Sequence, residues 1–289
     1  MKILETHIVP AVSQKIRLQE YAVSIFINCP TKSSLKKAIK KKQILVDGIP
    51  ATTSLWVEKG MQIDLLQDNQ VNKIFELQIP VLFEDEFVAV VNKPPGLPTS
   101  GNFFKTLENC LPYNLKFSGE TDALNNPLPA HRLDSSTSGL VVCAKTQTSL
   151  RKLQQDFQNK CIEKEYVALV YGKLDGTKNI EIPIQGKKSK TIVTVLASYK
   201  IDGMNYTLIR AKPETGRTHQ IRIHLSDSGY PLVGDKIYSN IHSEFFKGKS
   251  LFLFARKLKF QHPLTSEQLQ FSLPLPKKFR NLKNLKGSH

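Results

Sequence analysis

The segment His131 to Thr146, HRLDSSTSGLVVCAKT, sets Asp134 two residues after Arg132 and directly before a Ser/Thr/Gly turn and an apolar run. A carboxylate in that setting has two uses. As an Asx-turn residue it accepts from main-chain N–H groups just downstream. As a reacting group it adds to an electrophilic carbon or takes a proton. A second stretch, TGRTHQIRIHL, supplies Arg217, His219, Gln220, Arg222 and His224. One of its arginines, set against Asp134, would keep that acid ionised through charge-assisted hydrogen bonds. His219 and His224 stand at i and i+5, a poor spacing for a shared helical metal face, and no carboxylate accompanies them. Cys29, Cys110, Cys143 and Cys161 form no C-x-x-C pair. The spacing therefore suggests neither a zinc site nor a redox motif.

These residues need a scaffold. Beyond the Asp134 turn, GLVVCAKT reads as a strand and TSLRKLQQDFQNK as a helix with Leu150, Leu153 and Phe157 on one face. KEYVALVYGKL alternates as a strand, with Tyr166, Ala168 and Val170 on one side. KTIVTVLASYKI and MNYTLIRAKP predict an antiparallel pair turned at Asp202-Gly203, and TGRTHQ reads as a loop entering a helix. SLFLFARKLKFQHP and EQLQFSLPLP close the chain as another pair. Upstream, Phe87 to Val91 suits a buried strand that NKPPGLP must end. Phe103 to Leu128 is weakly periodic and reads as loop with one helix around Leu107. Helices among mainly antiparallel strands predict an α+β fold with a mixed sheet and flanking helices.

The first 75 residues read as a separate small α/β module, with residues 70–80 as linker and 76–285 as the larger domain. Ser33 or Ser34 would cap a helix that buries Leu35, Ala38 and Ile39 and turns out Lys36, Lys37, Lys40 and Lys41. Asp47-Gly48 predicts a hairpin turn, and Lys59-Gly60 a second strand pair. The lysines either form a solvated helix face or meet a phosphate backbone; their uncompensated repulsion favours RNA.

The totals agree. Lys and Arg number 41 against 25 Asp and Glu, a formal charge of +16 in 289 residues. Such a surplus points to a polyanionic partner. Scattered cysteines, no apolar run of membrane length and an N-terminus without a signal-peptide core predict a cytoplasmic chain with no membrane partner.

NKPPGL, HRLDSSTSGLVVCAKT, EKEYVALVYG, TGRTHQIRIHL, PLVGDKIYS and HPLTSEQLQFSLPLP together resemble the RluA-type family of RNA pseudouridine synthases over roughly residues 81 to 276. The first module is similar to the αL RNA-binding domain shared with a ribosomal small-subunit protein. The resemblance implies that a flipped uridine is cut at N1, turned and rejoined through C5 without metal or cofactor. It makes Asp134 the reacting carboxylate and sets Tyr166 beneath the uracil. It pairs Arg222 with Asp134 and sends Arg132 into the gap left by the base. His131, Arg217, His219 and Gln220 join Arg132 as RNA contacts. It implies structured RNA as partner, ribosomal rather than transfer RNA, and a monomer. Phe254 departs from the pattern, standing where relatives often have histidine. The other class that fits the charge is a non-catalytic RNA-binding or ribosome-assembly factor on the same fold. Glycosidase chemistry on a free nucleoside would need a second carboxylate flanking the bond, which no motif here supplies.

Overall fold

The structure, a computed structural model, describes residues 3–12, 14–66, 74–241 and 243–282. The chain divides into two compact units, residues 1–72 and 73–289. Part of the expected 70–80 linker lies outside the described residues.

The small unit holds β1 (Ile3–Ile8), α1 (Leu18–Tyr21), α2 (Lys32–Lys40), β2 (Ile44–Val46), β3 (Ile49–Pro50) and β4 (Gln62–Leu66), with sheet order β1-β4-β2-β3. Helix α2 is capped by Thr31, not by Ser33 or Ser34. The Thr31 hydroxyl accepts the Ser34 N–H, and the Ser34 hydroxyl accepts the Thr31 N–H, a reciprocal capping box. Ser34 is thus the third helical residue rather than the cap. Leu35, Ala38 and Ile39 are buried against Leu18, Phe26, Ile44 and Ile63. Lys36, Lys37 and Lys40 are exposed and Lys41 is half-buried. The pair expected around Lys59-Gly60 forms only on its downstream side. Strand β4 pairs with β1 and β2, while Trp56 makes a single bridge to Arg17, whose guanidinium lies 5.2 Å over the indole. Local turn chemistry pointed to a neighbour; the partner comes from the start of the chain.

The large unit contains β5 (Val81–Glu84), β6 (Val88–Lys93), α3 (Leu107–Asn114), β7 (Ala123–Pro129), β8 (Ser138–Thr146), α4 (Gln147–Gln158), β9 (Glu163–Tyr171), β10 (Thr177–Ile180), β11 (Thr191–Ile201), β12 (Met204–Pro213), α5 (Gln220–Asp227), β13 (Leu253–Gln261), β14 (Gln268–Ser272) and α6 (Lys277–Arg280). The fold is α+β. Its sheet runs β10-β11-β12-β9-β13-β8-β6-β5, with β14 on β13 and β7 on β8. Pairing is antiparallel except between β13 and β8. Helices α3 and α5 cover one face, where Leu107, Leu111, Ile221 and Leu225 meet Val141, Tyr166, Ala168 and Val170. On the other face α4 brings Leu153 to Val90 and Val142, and α6 brings Phe279 to Val167 and Phe254. Both faces of β9 are therefore buried, which explains its near-continuous apolar sequence. The stretch 103–128 contains helix α3 as expected, but also strand β7, whose two prolines hid it.

The parallel contact fixes where the Asp134 turn can stand. Phe254 and Ala255 of β13 pair with Ser138 and Gly139 at the first step of β8. Gly139 has φ +123°, and a Cβ there would overlap the Ala255 backbone. Only glycine lets the chain leave the turn and enter β8 at that spacing.

Candidate active site

Asp134 lies in the turn before β8, and that turn is tied down from the stretch after β6. The Lys93 ammonium, fully buried, donates to the carbonyls of Pro94, Leu97 and Ser135 at 3.0, 2.7 and 3.2 Å. Gly96 N–H donates to Ser135 O at 2.8 Å. The Thr99 hydroxyl donates to Leu133 O and accepts from Leu133 N–H, at 2.8 and 3.0 Å. The bonds to Leu133 and Ser135 end on main chain directly beside Asp134, while those to Pro94 and Leu97 fix the Lys93 ammonium within its own stretch. Burial pulls the Lys93 ammonium down to about 8, against the opposing influence of the Asp134 charge.

The Asp134 side chain points into an open cavity of about 460 Å³, also lined by His131, Arg132, Tyr166, Arg217, His219 and Arg222. That volume suits a nucleotide-sized ligand. Its main-chain carbonyl accepts Thr137 N–H at 3.0 Å. Its carboxylate faces basic side chains instead: Oδ2 lies 3.5 Å from Arg222 Nη1, and Oδ1 lies 3.7 Å from His219 Nε2.

Arg222 is held more tightly by a residue the sequence did not single out. Its Nε and Nη2 donate to the two oxygens of Asp235 at 2.8 Å each, a bidentate pair. Asp235 Oδ1 also accepts the N–H groups of Ile237 and Tyr238, at 2.9 and 3.2 Å. The Asx turn is thus made by Asp235, not by Asp134. Burial disfavours the Asp235 charge, yet the Arg222 bonds and the two amides hold its carboxyl below the usual range. Arg222 in turn is raised, because Asp235 and then Asp134 outweigh its burial. The Tyr238 ring lies 5.1 Å from the guanidinium, and its hydroxyl is 2.9 Å from His219 Nδ1. Lys93, Thr99, Asp235 and Tyr238 all fall in or beside motifs of the sequence, but only their long-range bonds reveal their roles.

Tyr166 stands on β9 between Ala211 of β12 and Ala255 of β13. The small neighbours leave its ring room at the cavity floor. Burial, and then the Asp134 charge, push its phenol above the ordinary value, so the hydroxyl stays protonated.

The remaining residues separate. Arg132 is exposed at the cavity rim. Arg217 is exposed, its guanidinium donating to Lys188 O at 3.2 and 3.3 Å. Gln220 is not available to RNA: it is 4% exposed and its amide is fully used. Its Oε1 accepts from Thr215 Oγ1 and Arg217 N, and its Nε2 donates to Lys190 O and Thr191 Oγ1. His131 is also committed internally. Its Nε2 accepts Val142 N–H at 3.2 Å, and its ring lies 4.6 Å from that of Phe157. Burial, with the Lys164 charge, pulls its imidazole down to about 3, so it is neutral. Both residues shape the cavity from behind. Phe254 is buried on the opposite sheet face. Among the described residues no three His, Cys, Asp or Glu side chains gather as metal ligands would.

A family model described as RNA pseudouridylate synthase matches residues 87–227. The chain is 32% identical to ribosomal large subunit pseudouridine synthase C of Vibrio parahaemolyticus, across 86% of this chain and 82% of that one. It is 31% identical to ribosomal large subunit pseudouridine synthase D of Pseudomonas aeruginosa, across 91% and 89%. The solved structure of human RNA pseudouridylate synthase domain containing 4 is similar at a TM-score of 0.58 and 25% identity, covering 71% of this chain and 92% of that chain. The chain belongs to the RluA-type family of RNA pseudouridine synthases. It is an isomerase that acts on RNA.

Proposed function

We propose that this enzyme converts uridine to pseudouridine in large-subunit ribosomal RNA, with Asp134 as the reacting carboxylate. The observation that carries the reading is the setting of that carboxylate. It is anchored through main-chain bonds, faces an open cavity, and has Arg222 at one oxygen and His219 at the other. Arg222 keeps it ionised, as either addition to the sugar or removal of a sugar proton requires. In both routes the N1–C1′ bond breaks, the uracil turns, and C5 bonds to C1′ while a proton moves from C5 to N1. Tyr166 supports the turning base with its ring and donates through its protonated hydroxyl. Arg132 at the rim suits stacking in the gap left by the flipped nucleotide, and Arg217 suits phosphate. The ribosomal target is supported by the relatives named for the large subunit and by the exposed lysines of α2 in an αL-like unit.

Asp134→Asn is expected to abolish isomerisation while RNA affinity stays within a few-fold. Wild-type protein that leaves uridine unchanged in large-subunit RNA under single turnover would overturn the ribosomal reading. Mapping pseudouridines in total RNA from cells with and without the protein identifies the position, and a change confined to transfer RNA would move the target there.

A further inference from the structure

We infer that His219 is a positioning residue for Asp134, oriented for that task by Tyr238. The inference rests on Asp134 being the reacting group and adds a second, adjustable grip to that of Arg222.

The two oxygens of Asp134 meet different neighbours. Oδ2 faces Arg222 Nη1 at 3.5 Å, a group fixed on its far side by Asp235. Oδ1 faces His219 Nε2 at 3.7 Å. A neutral imidazole has one proton for two ring nitrogens. With a carboxylate in front of Nε2, the favourable tautomer carries the proton there, and Nδ1 is left to accept. Its partner is the Tyr238 hydroxyl at 2.9 Å, which then donates. Tyr238 is itself anchored: its N–H donates to Asp235 Oδ1 at 3.2 Å, and its carbonyl accepts from Ser226 Oγ at 2.6 Å. The chain of orientation runs Asp235, Tyr238, His219, Asp134.

The backbone supplies an independent observation. His219 is the N-cap of α5, with φ 54° and ψ 22°, a left-handed conformation for a non-glycine residue. Its side chain makes no capping hydrogen bond. A residue chosen only to start the helix would be Ser, Thr, Asp, Asn or Gly. Histidine in this conformation does nothing for the cap and instead aims its ring at the carboxylate and at Tyr238.

The test is a double-mutant cycle on single-turnover isomerisation of unmodified large-subunit ribosomal RNA, with RNA affinity and melting temperature measured on each variant. His219→Gly suits the left-handed backbone, so the fold is expected to survive. Its rate should fall by about 100-fold, the scale of a misplaced reacting group, with RNA affinity unchanged. Tyr238→Phe keeps the ring beside Arg222 and removes only the hydroxyl; its rate should fall by about tenfold. The double variant should be as slow as His219→Gly alone, because Tyr238 acts through the imidazole. Added imidazole should restore part of the His219→Gly rate through the open cavity and leave Asp134→Asn inactive.

Independent losses that multiply in the double variant would overturn the coupling. A His219→Gly enzyme with full rate, or one whose loss lies wholly in RNA affinity, would overturn the positioning role. Should that variant unfold, His219→Asn, which also tolerates the left-handed region, is measured in its place under the same criteria. If Asp134→Asn were fully active, the parent reading would fail, a result distinguishable from failure of the His219 inference alone.

Discussion

Helix α2 and the Asp134 turn handle charge in opposite ways. On α2 the lysines repeat on the outer face of a short amphipathic helix whose apolar side fixes their direction. Lys36, Lys37 and Lys40 are exposed there, while Lys32 at the start of the helix pairs with Glu20 at 2.6 Å. At the turn one carboxylate is located by bonds from Lys93, Gly96 and Thr99, and its charge is met by groups about 85 to 90 residues further along the chain. A charged face can be assembled from repetition. A single carboxylate held at one point needs irregular backbone with buried bonds.

The contrast can be broken most sharply at the turn. Beyond the loss of activity expected for Asp134→Asn, Asp235→Asn should be the most damaging nearby change. It leaves the buried Arg222 guanidinium with a neutral partner. Stability should fall by about 3–5 kcal/mol, measured by urea unfolding. A loss under about 1 kcal/mol would mean that Asp134 alone suffices to hold Arg222.

Gly139→Ala should come next. The added Cβ meets the Ala255 backbone at the parallel β8–β13 step, and the positive φ resists any side chain. A loss of about 3 kcal/mol is expected, with thermal melting as the measurement. Wild-type stability there would show that the two strands separate easily.

A smaller effect concerns acid. Folded His131 titrates near 3, because burial and the Lys164 charge oppose protonation. The unfolded imidazole takes its proton near 6.5. Between those values the unfolded chain binds more protons. Its contribution is whole above about 6.5 and is lost as pH falls toward 3. Unfolding midpoints at pH 7 and pH 5 should differ less in His131→Gln than in wild type. Equal differences would remove His131 from the acid response.

The least effect is expected on α2. Lys36→Ala or Lys40→Ala should weaken RNA binding modestly and lower the salt slope by about one each, read from affinities at several salt concentrations. Slopes that did not change would leave the lysines as a solvated face.

The same contrast governs what the sequence disclosed. The buried and exposed sides of α2, the Asp202-Gly203 hairpin and the strand bearing Tyr166 follow from periodicity and turn chemistry, which act over a few residues. Asp134, Arg222 and Tyr166 emerged from motif resemblance, and they line one cavity. Thr31 escaped because two serines nearby offered the same chemistry. Strand β1 escaped because four of its six residues are exposed and its partner is far along the chain. Gln220 looked like an RNA contact because an amide in a polar loop gives no sign that its four bonds are filled. Asp235 shows the same limit in reverse, since its partner lies on the preceding helix and its Asx turn hides the ion pair.

The bonds that locate Asp134 end on the carbonyls of Leu133 and Ser135 and on the Leu133 amide, leaving the flanking serine side chains uninvolved. The position of the carboxylate is therefore largely indifferent to what Ser135 and Ser136 carry beyond Cβ. The turn can exchange those side chains without moving the carboxylate. Backbone geometry and side-chain identity are thereby separable within three consecutive residues.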